Sequence, residues 1–269
     1  MTQISILGCG WLGLPLAKFL LEKDYAVKGS TTSIEKISVL ENSGIQPFVI
    51  TLSADKTTGN FTDFLYNSKI LIIDIPPKLR GLNKENFVSK IKNCIPSIEK
   101  STIEKVLFIS STSVYGDANL MVTEETPLNP DTESGKQLVE AEQLLQNNSN
   151  FQTIILRFGG LIGEDRHPIR FLAGKKNIEN PNAPINLIHQ EDCIGIIEEI
   201  LKSTHWKEKE TFNAVTPFHP SKKEYYTQKA IDLNLDLPEF SSENGYSGKT
   251  ISSSKIETIL GYKFKKNNL

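Results

Sequence analysis

The run Ile4-Ser5-Ile6-Leu7 leads without a break into Gly8-Cys9-Gly10-Trp11-Leu12-Gly13. After it, Leu12, Leu16, Phe19 and Leu20 recur at helical spacing. A Gly-x-Gly-x-x-Gly turn between a strand and a helix constrains this chain more than any other feature. Gly8 permits the tight turn, Gly10 lets a pyrophosphate approach the backbone, and Gly13 lets the helix pack closely on the strand. The free N–H groups and the dipole at the helix start attract phosphate. A dinucleotide site on Gly8, Gly10, Trp11, Leu12 and Gly13 is therefore expected. The alternative, a glycine-rich turn that merely joins two elements, has the rest of the chain against it.

Short apolar, β-branched runs at 25–29, 48–52, 70–73, 106–109 and 153–157 read as strands. Segments 11–21, 33–42, 83–98 and 135–146 read as helices between and after them. This βαβα order predicts an α/β chain with a doubly wound, parallel-sheet Rossmann fold. After Arg157 the rhythm breaks. Residues 159–187 are rich in Gly, Pro, Asn and Arg and read mostly as loop. A helix at 192–202, a strand at 211–215 and a helix at 222–233 follow, and 240–254 is rich in Ser and Gly. The expected organisation is an NAD(P)-binding domain over 1–160 and a smaller, interleaved C-terminal substrate lobe over 161–269. Residues 186–233 return in part to the Rossmann body.

The chain of 269 residues carries a net charge of -2, with both signs interspersed and no basic block, which argues against a nucleic-acid partner. No apolar stretch is long enough to cross a bilayer, and the start lacks a basic segment followed by an apolar run, so no membrane role or signal peptide is expected. Cys9, Cys94 and Cys193 are too few and too scattered for a disulfide framework or a zinc site, which points to a reducing cytoplasm and no metal.

An acidic residue at the end of the second strand of such a fold selects NAD by binding the ribose hydroxyls. Here the strand runs into Lys28-Gly29-Ser30-Thr31-Thr32-Ser33. The hydroxyls of Ser30, Thr31 and Thr32, with Lys36 nearby, suit a 2′-phosphate and favour NADP over NAD. The same hydroxyls would serve to cap the following helix. Leu52 ends the third strand where an adenine rests. Ile75 and Pro76 follow Asp74 at the end of the fourth, over the cofactor crevice. Asp74 itself reads as a polar cofactor contact or a turn former.

Farther on, Ser110-Ser111-Thr112-Ser113-Val114-Tyr115-Gly116 resembles the strand-end motif of the extended short-chain dehydrogenases/reductases, the group that includes sugar-nucleotide epimerases and dehydratases. Thr123-Glu124-Glu125-Thr126-Pro127, Arg157-Phe158-Gly159-Gly160-Leu161-Ile162-Gly163, Asn186-Leu187-Ile188-His189-Gln190-Glu191-Asp192 and Phe212-Asn213-Ala214 resemble later segments of that family, in order. The resemblance implies cofactor contact at Ser110 and a Ser111 hydroxyl that polarises the substrate oxygen. Tyr115 offers a phenol nearby, although the tyrosine of this motif more often packs or touches substrate. It also implies a small-molecule substrate, anionic or a sugar nucleotide, and a homodimer built through two helices.

The sequence departs from the family at its catalytic Tyr and the Lys four residues later, a pair one helical turn apart. Ser134 and Leu138 stand at those positions, and a shifted register gives Thr132 and Lys136. The chain thus resembles the atypical branch that lacks the Tyr-x-x-x-Lys motif. Ser111, Tyr115 and Ser134 remain as candidate catalytic residues. Arg166, His167 and His189 are candidate substrate contacts, and Arg157 and Arg170 add positive charge to the same stretch. Gly248-Lys249-Thr250 looks like the end of a P-loop, but Glu243 stands where the loop's first Gly is required. Two functions are compatible with these features: NAD(P)-dependent epimerase, dehydratase or reductase chemistry, or a catalytically degenerate NAD(P)-binding sensor or scaffold.

Overall fold

The computed structural model describes residues 1–79, 85–117, 121–242 and 248–269. Arg80 and positions 83–84, where the spacing would begin a helix, lie outside the described residues. Seven parallel strands form the central sheet: β1 (Gln3–Leu7), β2 (Ala26–Thr31), β3 (Gln46–Val49), β4 (Ile70–Ile73), β5 (Lys105–Ser111), β6 (Gln152–Phe158) and β7 (Thr211–Ala214). Their order across the sheet is β7-β6-β5-β4-β1-β2-β3. The chain reverses its winding between β1 and β4, which pair from Ile4 opposite Ile70 to Leu7 opposite Ile73. In sheets of this kind ligands bind at such a switch point, outside the carboxyl ends of the strands.

The strands are legible as apolar runs because the sheet is covered on both faces. Successive side chains point to opposite faces, so each run is shared between two cores. Ile4, Ile6, Ile70, Ile72, Leu107 and Leu156 pack on one face with α1 (Gly13–Glu22). Leu7, Leu71, Ile73, Val106, Phe108 and Ile155 pack on the other with α2 (Phe87–Glu99) and α3 (Glu133–Gln146). A third cluster is drawn from the C-terminal part of the chain, with Ile162, Ile169, Ile185, Leu187, Tyr225 and Tyr226.

Residues 159–187 hold more structure than their composition suggests. Gly160–Ile162 pairs in parallel with Leu187–His189, and Ile169–Leu172 forms one helical turn. Then come α4 (Gln190–Lys202), α5 (Lys222–Asp232) and α6 (Ser254–Leu260). The last of these follows the Ser- and Gly-rich stretch and ends at Gly261, which takes a positive φ of 67°. Buried Asp192 ties the tail down. It accepts hydrogen bonds from Tyr262 Oη at 2.7 Å, Lys265 N–H at 2.7 Å and Lys266 N–H at 3.1 Å.

Candidate cofactor and substrate site

The phosphate-type turn is shaped by what its three glycines face. Gly8 has φ of +112°, and a Cβ there would lie 2.2 Å from the Asp74 carbonyl oxygen. A Cβ on Gly13 would lie 2.1 Å from the Gly8 carbonyl oxygen. Gly10 differs: a Cβ there meets nothing within 4 Å. Two glycines thus close the turn, and the third leaves its outer face bare. α1 begins at Gly13, two residues later than the spacing predicts, so Trp11 and Leu12 belong to the turn. Leu12, the N-cap residue, makes no side-chain cap hydrogen bond, and the first turn of the helix holds no acid of its own. The turn can therefore receive an anion on its backbone.

Asp74 sits beneath the same turn. The residue is partly exposed, but its carboxyl is packed inward against Gly13, whose N–H it accepts. Burial pushes this carboxyl up to about 7, and the Gly13 N–H pulls the other way. Leu52 does not end the third strand, which stops at Val49; it lies in a short antiparallel pair of Thr51–Leu52 with Thr57–Thr58. Leu52 and Ile75 are half-buried and Pro76 is exposed.

At the end of β2, Ser30 and Thr31 are buried and already engaged. Ser30 Oγ accepts the Gly8 N–H at 2.9 Å, and its carbonyl accepts the Cys9 N–H at 2.8 Å. Thr31 Oγ1 accepts the Ser33 N–H at 3.1 Å. Lys28 turns away and donates to the carbonyls of Asp63 and Tyr66, each at 2.7 Å. Thr32 and Lys36 remain exposed. So does Glu35, an acid that the sequence reading passed over, and a hydrogen bond from Ser33 Oγ holds it below the usual carboxylate range.

Three strands away from β2, adjacent serines of β5 part company. Ser110 is buried and donates to Glu142 Oε1 at 2.6 Å. Arg157 donates to both carboxyl oxygens of Glu142, from Nε at 3.0 Å and Nη2 at 2.6 Å. Its Nη1 donates to Tyr115 Oη at 2.7 Å, and Tyr115 donates in turn to Asn213 Oδ1 at 2.9 Å. Tyr115 is buried, and burial raises its phenol despite Arg157. Its hydroxyl and the Arg157 guanidinium thus belong to an interior network. Ser111 is half-buried at the strand end, where its Oγ accepts the Ser113 N–H at 3.1 Å. Gly135 presses the start of α3 onto this turn, since a Cβ there would lie 2.3 Å from the Ser113 carbonyl oxygen. Half-buried Ser134 is thereby brought to the same end of the sheet as Ser111. The helix contains no tyrosine, its lysine, Lys136, is exposed, and Leu138 is in the core.

The three lobe candidates separate. Arg166 lies over the Trp11 ring, 5.0 Å from its centroid, while Trp11 Nε1 donates to Asp165 Oδ1 at 2.8 Å. Gln190 Nε2 donates to the Trp11 carbonyl at 2.7 Å, so Asp165 and Gln190 both tie their segments to the phosphate-type turn. His167 turns into the lobe. Its Nδ1 accepts the Ile169 N–H at 3.2 Å, and its Nε2 meets Tyr225 Oη at 2.9 Å. Burial, with Lys229 and Arg170 nearby, lowers it to about 4, so it is neutral at physiological pH. His189 caps α4, its Nδ1 accepting the Glu191 N–H at 3.2 Å. Among the described residues, no group of three or more His, Cys, Asp and Glu side chains could hold a metal. No helix among them is long and apolar enough to cross a membrane.

Sheet order, switch point and glycine turn define a Rossmann protein with the fold of the epimerase/dehydratase enzymes. UDP-glucuronic acid 4-epimerase from Bacillus cereus, solved with UDP-glucuronic acid and NAD, superposes with a TM-score of 0.78 at 18% identity, over 98% of this chain and 94% of that one. UDP-glucose 4-epimerase of Dictyostelium discoideum is 23% identical over 184 residues, 59% of this chain and 54% of its own. Protein YeeZ of Escherichia coli (strain K12) is 35% identical over 266 residues, 98% of this chain and 96% of its own. The chain belongs to the family of Protein YeeZ. No protein-family model matches it.

Proposed function

We propose that the protein is an NAD(P)-dependent enzyme of the epimerase, dehydratase or reductase type that acts on a small polar substrate such as a sugar nucleotide. The observation that carries this reading is the bare outer face of Gly10 in the turn that leads into α1. The turn from Gly8 to Gly13 would hold the pyrophosphate, with Leu52, Ile75 and Pro76 flanking the rest of the dinucleotide. Residues 1–160 would carry the cofactor and 161–269 the substrate. Bound nicotinamide would supply hydride transfer. Ser111, the half-buried hydroxyl beside a buried one, would donate a hydrogen bond to the reacting oxygen, with Ser134 facing the same end of the sheet. The inward hydroxyls of Ser30 and Thr31 leave Thr32 and Lys36 to favour NADP, against Glu35, which favours NAD. A second copy of the chain would dock on α2 and α3, which pack side by side around an outer groove lined by Val88, Ile95 and Leu144.

Titration with NADPH and NADH, followed by nicotinamide fluorescence, tests the cofactor site. UDP-glucose and UDP-glucuronic acid then serve as probes for turnover of the bound nicotinamide. Ser111→Ala is expected to cut turnover about a hundredfold while leaving cofactor affinity intact, the usual scale for removing one polarising donor. Unchanged turnover would remove Ser111 from the mechanism. Cofactor binding with no turnover on any carbonyl or sugar-nucleotide probe would favour the sensor or scaffold reading, which the engagement of the Tyr115 hydroxyl supports.

A further inference from the structure

The Gly-Lys-Thr segment near the C-terminus fails as a P-loop, yet the fold returns it to the strand ends of the candidate site. Lys249 Nζ donates to the Tyr115 carbonyl at 2.7 Å, across 134 residues of sequence. That carbonyl ends the turn that begins at Ser111 and against which α3 brings Ser134. The backbone around Lys249 is fixed without help from its side chain. Asn186 Nδ2 donates to the Lys249 carbonyl and Asn186 Oδ1 accepts the Ile251 N–H, both at 2.8 Å. Thr250–Ile251 also pairs in parallel with Met121–Val122. Asn186 itself adjoins the substrate lobe, since its carbonyl accepts the Gly160 N–H at 2.8 Å.

The ammonium is therefore not needed as a staple, and it is costly where it stands. Lys249 is half-buried, and burial pulls its amine below the usual lysine range. Asp117 and Asp131, exposed at the rim, act the other way and favour the charged form. Neither approaches within ion-pair distance, and among the described residues Lys249 has no carboxylate partner. An ammonium carries three donors, and among the described residues this one makes a single hydrogen bond. A half-desolvated cation with donors to spare gains most from an oxyanion, because charge-assisted hydrogen bonds are the strong ones.

We propose that Lys249 is the anion-binding residue of the substrate crevice and selects a substrate that presents a carboxylate or phosphate oxyanion beside the Ser111 strand end. This rests on the reading of that strand end as the substrate site. It places a positive charge in the crevice from the C-terminal segment, where α3 supplies only buried Leu138 and exposed Lys136.

The test uses the NADH-loaded protein, its Lys249→Met and Lys249→Arg variants, and calorimetry with UDP-glucuronic acid and UDP-glucose. NADH affinity should be the same in all three, which also shows that the variants fold. The wild type should bind the glucuronate about tenfold more tightly than the glucoside, the scale of one charge-assisted hydrogen bond. That advantage should vanish in Lys249→Met and persist in Lys249→Arg. An equal preference in Lys249→Met would overturn the assignment. Where the wild type shows no preference, an about tenfold loss of affinity for both sugar nucleotides in Lys249→Met assigns Lys249 to a phosphate oxyanion, and unchanged affinity for both overturns the assignment. If neither sugar nucleotide binds while NADH does, the sugar-nucleotide reading fails by itself. Inorganic phosphate and acetate then decide the question for Lys249, through protection of its amine from acetylation measured by peptide mass spectrometry. Protection by acetate alone or phosphate alone identifies the kind of oxyanion, and protection by neither overturns the proposal.

Discussion

The turn after β1 and the network at the end of β5 stand two strands apart on the same edge of the sheet, and they handle polar groups in opposite ways. At the turn, two glycines are closed against neighbouring backbone while the outer face of Gly10 is left bare. At the end of β5, Ser110, Glu142, Arg157, Tyr115 and Asn213 hydrogen-bond one another in the interior. The contrast teaches that residue type does not tell a site from a scaffold. Ser110 and Ser111 are neighbours of one kind, and strand alternation sends one inward and leaves the other half-buried at the surface. Arg157 and Arg166 differ in the same way. One is locked to a buried carboxylate, and the other lies exposed over Trp11 at the edge of the turn.

The contrast breaks most sharply at Glu142. Removing one partner of a buried ion pair leaves the other charge unsatisfied, so Glu142→Leu should cost about 3–5 kcal/mol in urea unfolding. The double variant Glu142→Leu with Arg157→Met should recover much of that loss, because an apolar pair needs no desolvation of charge. A cost below about 1 kcal/mol for the single change, the range of exposed ion pairs, would mean that the network does not fix this strand end.

Gly10→Val tests the open side. Its Cβ has free space and its φ is not positive, so the unfolding midpoint should move by no more than the equivalent of about 0.5 kcal/mol. NADH affinity should fall by about a hundredfold, since the side chain occupies the path of the pyrophosphate. Gly13→Ala should damage both, because its Cβ would collide with the Gly8 carbonyl. Loss of stability without loss of NADH binding in Gly10→Val would invert the roles given to the three glycines.

How far the sequence carries follows from the range of each interaction. The glycine turn and the strands are written in adjacent residues, and both were legible. Local spacing misplaced the start of α1 because Trp11 and Leu12, though apolar and in register, are held in the turn. The partners of the polar residues lie far along the chain. Trp11 meets Asp165 across 154 residues, and Asp192 meets Tyr262 across 70. The topology of the sheet decides such meetings, and no local propensity encodes them. Lys249 shows this best: its motif was legible and its chemistry misleading, until the fold set it beside Tyr115.

The mildest test concerns Asp74, where the open turn borders the closed interior. Burial raises its carboxyl from the ordinary 3.8 to about 7. The folded state therefore holds the proton more tightly than the unfolded chain does. That contribution is fully present below the unfolded value and is lost as pH rises through about 7, so stability should decline across this window and level off above it. Asp74→Asn should remove the decline. Binding should follow the same sign. An ionised carboxylate at the start of α1 opposes an incoming phosphate, so NADH affinity should drop a few-fold between about pH 6 and pH 8 in the wild type and stay level in the variant. NADH is the right probe because its pyrophosphate does not titrate there, whereas the phosphate monoester of NADPH does, near a pKa of about 6. Parallel pH profiles for the two proteins would mean that the carboxyl is ionised throughout. The boundary between the turn and the interior would then be wetter than the packing of Gly13 on Asp74 implies.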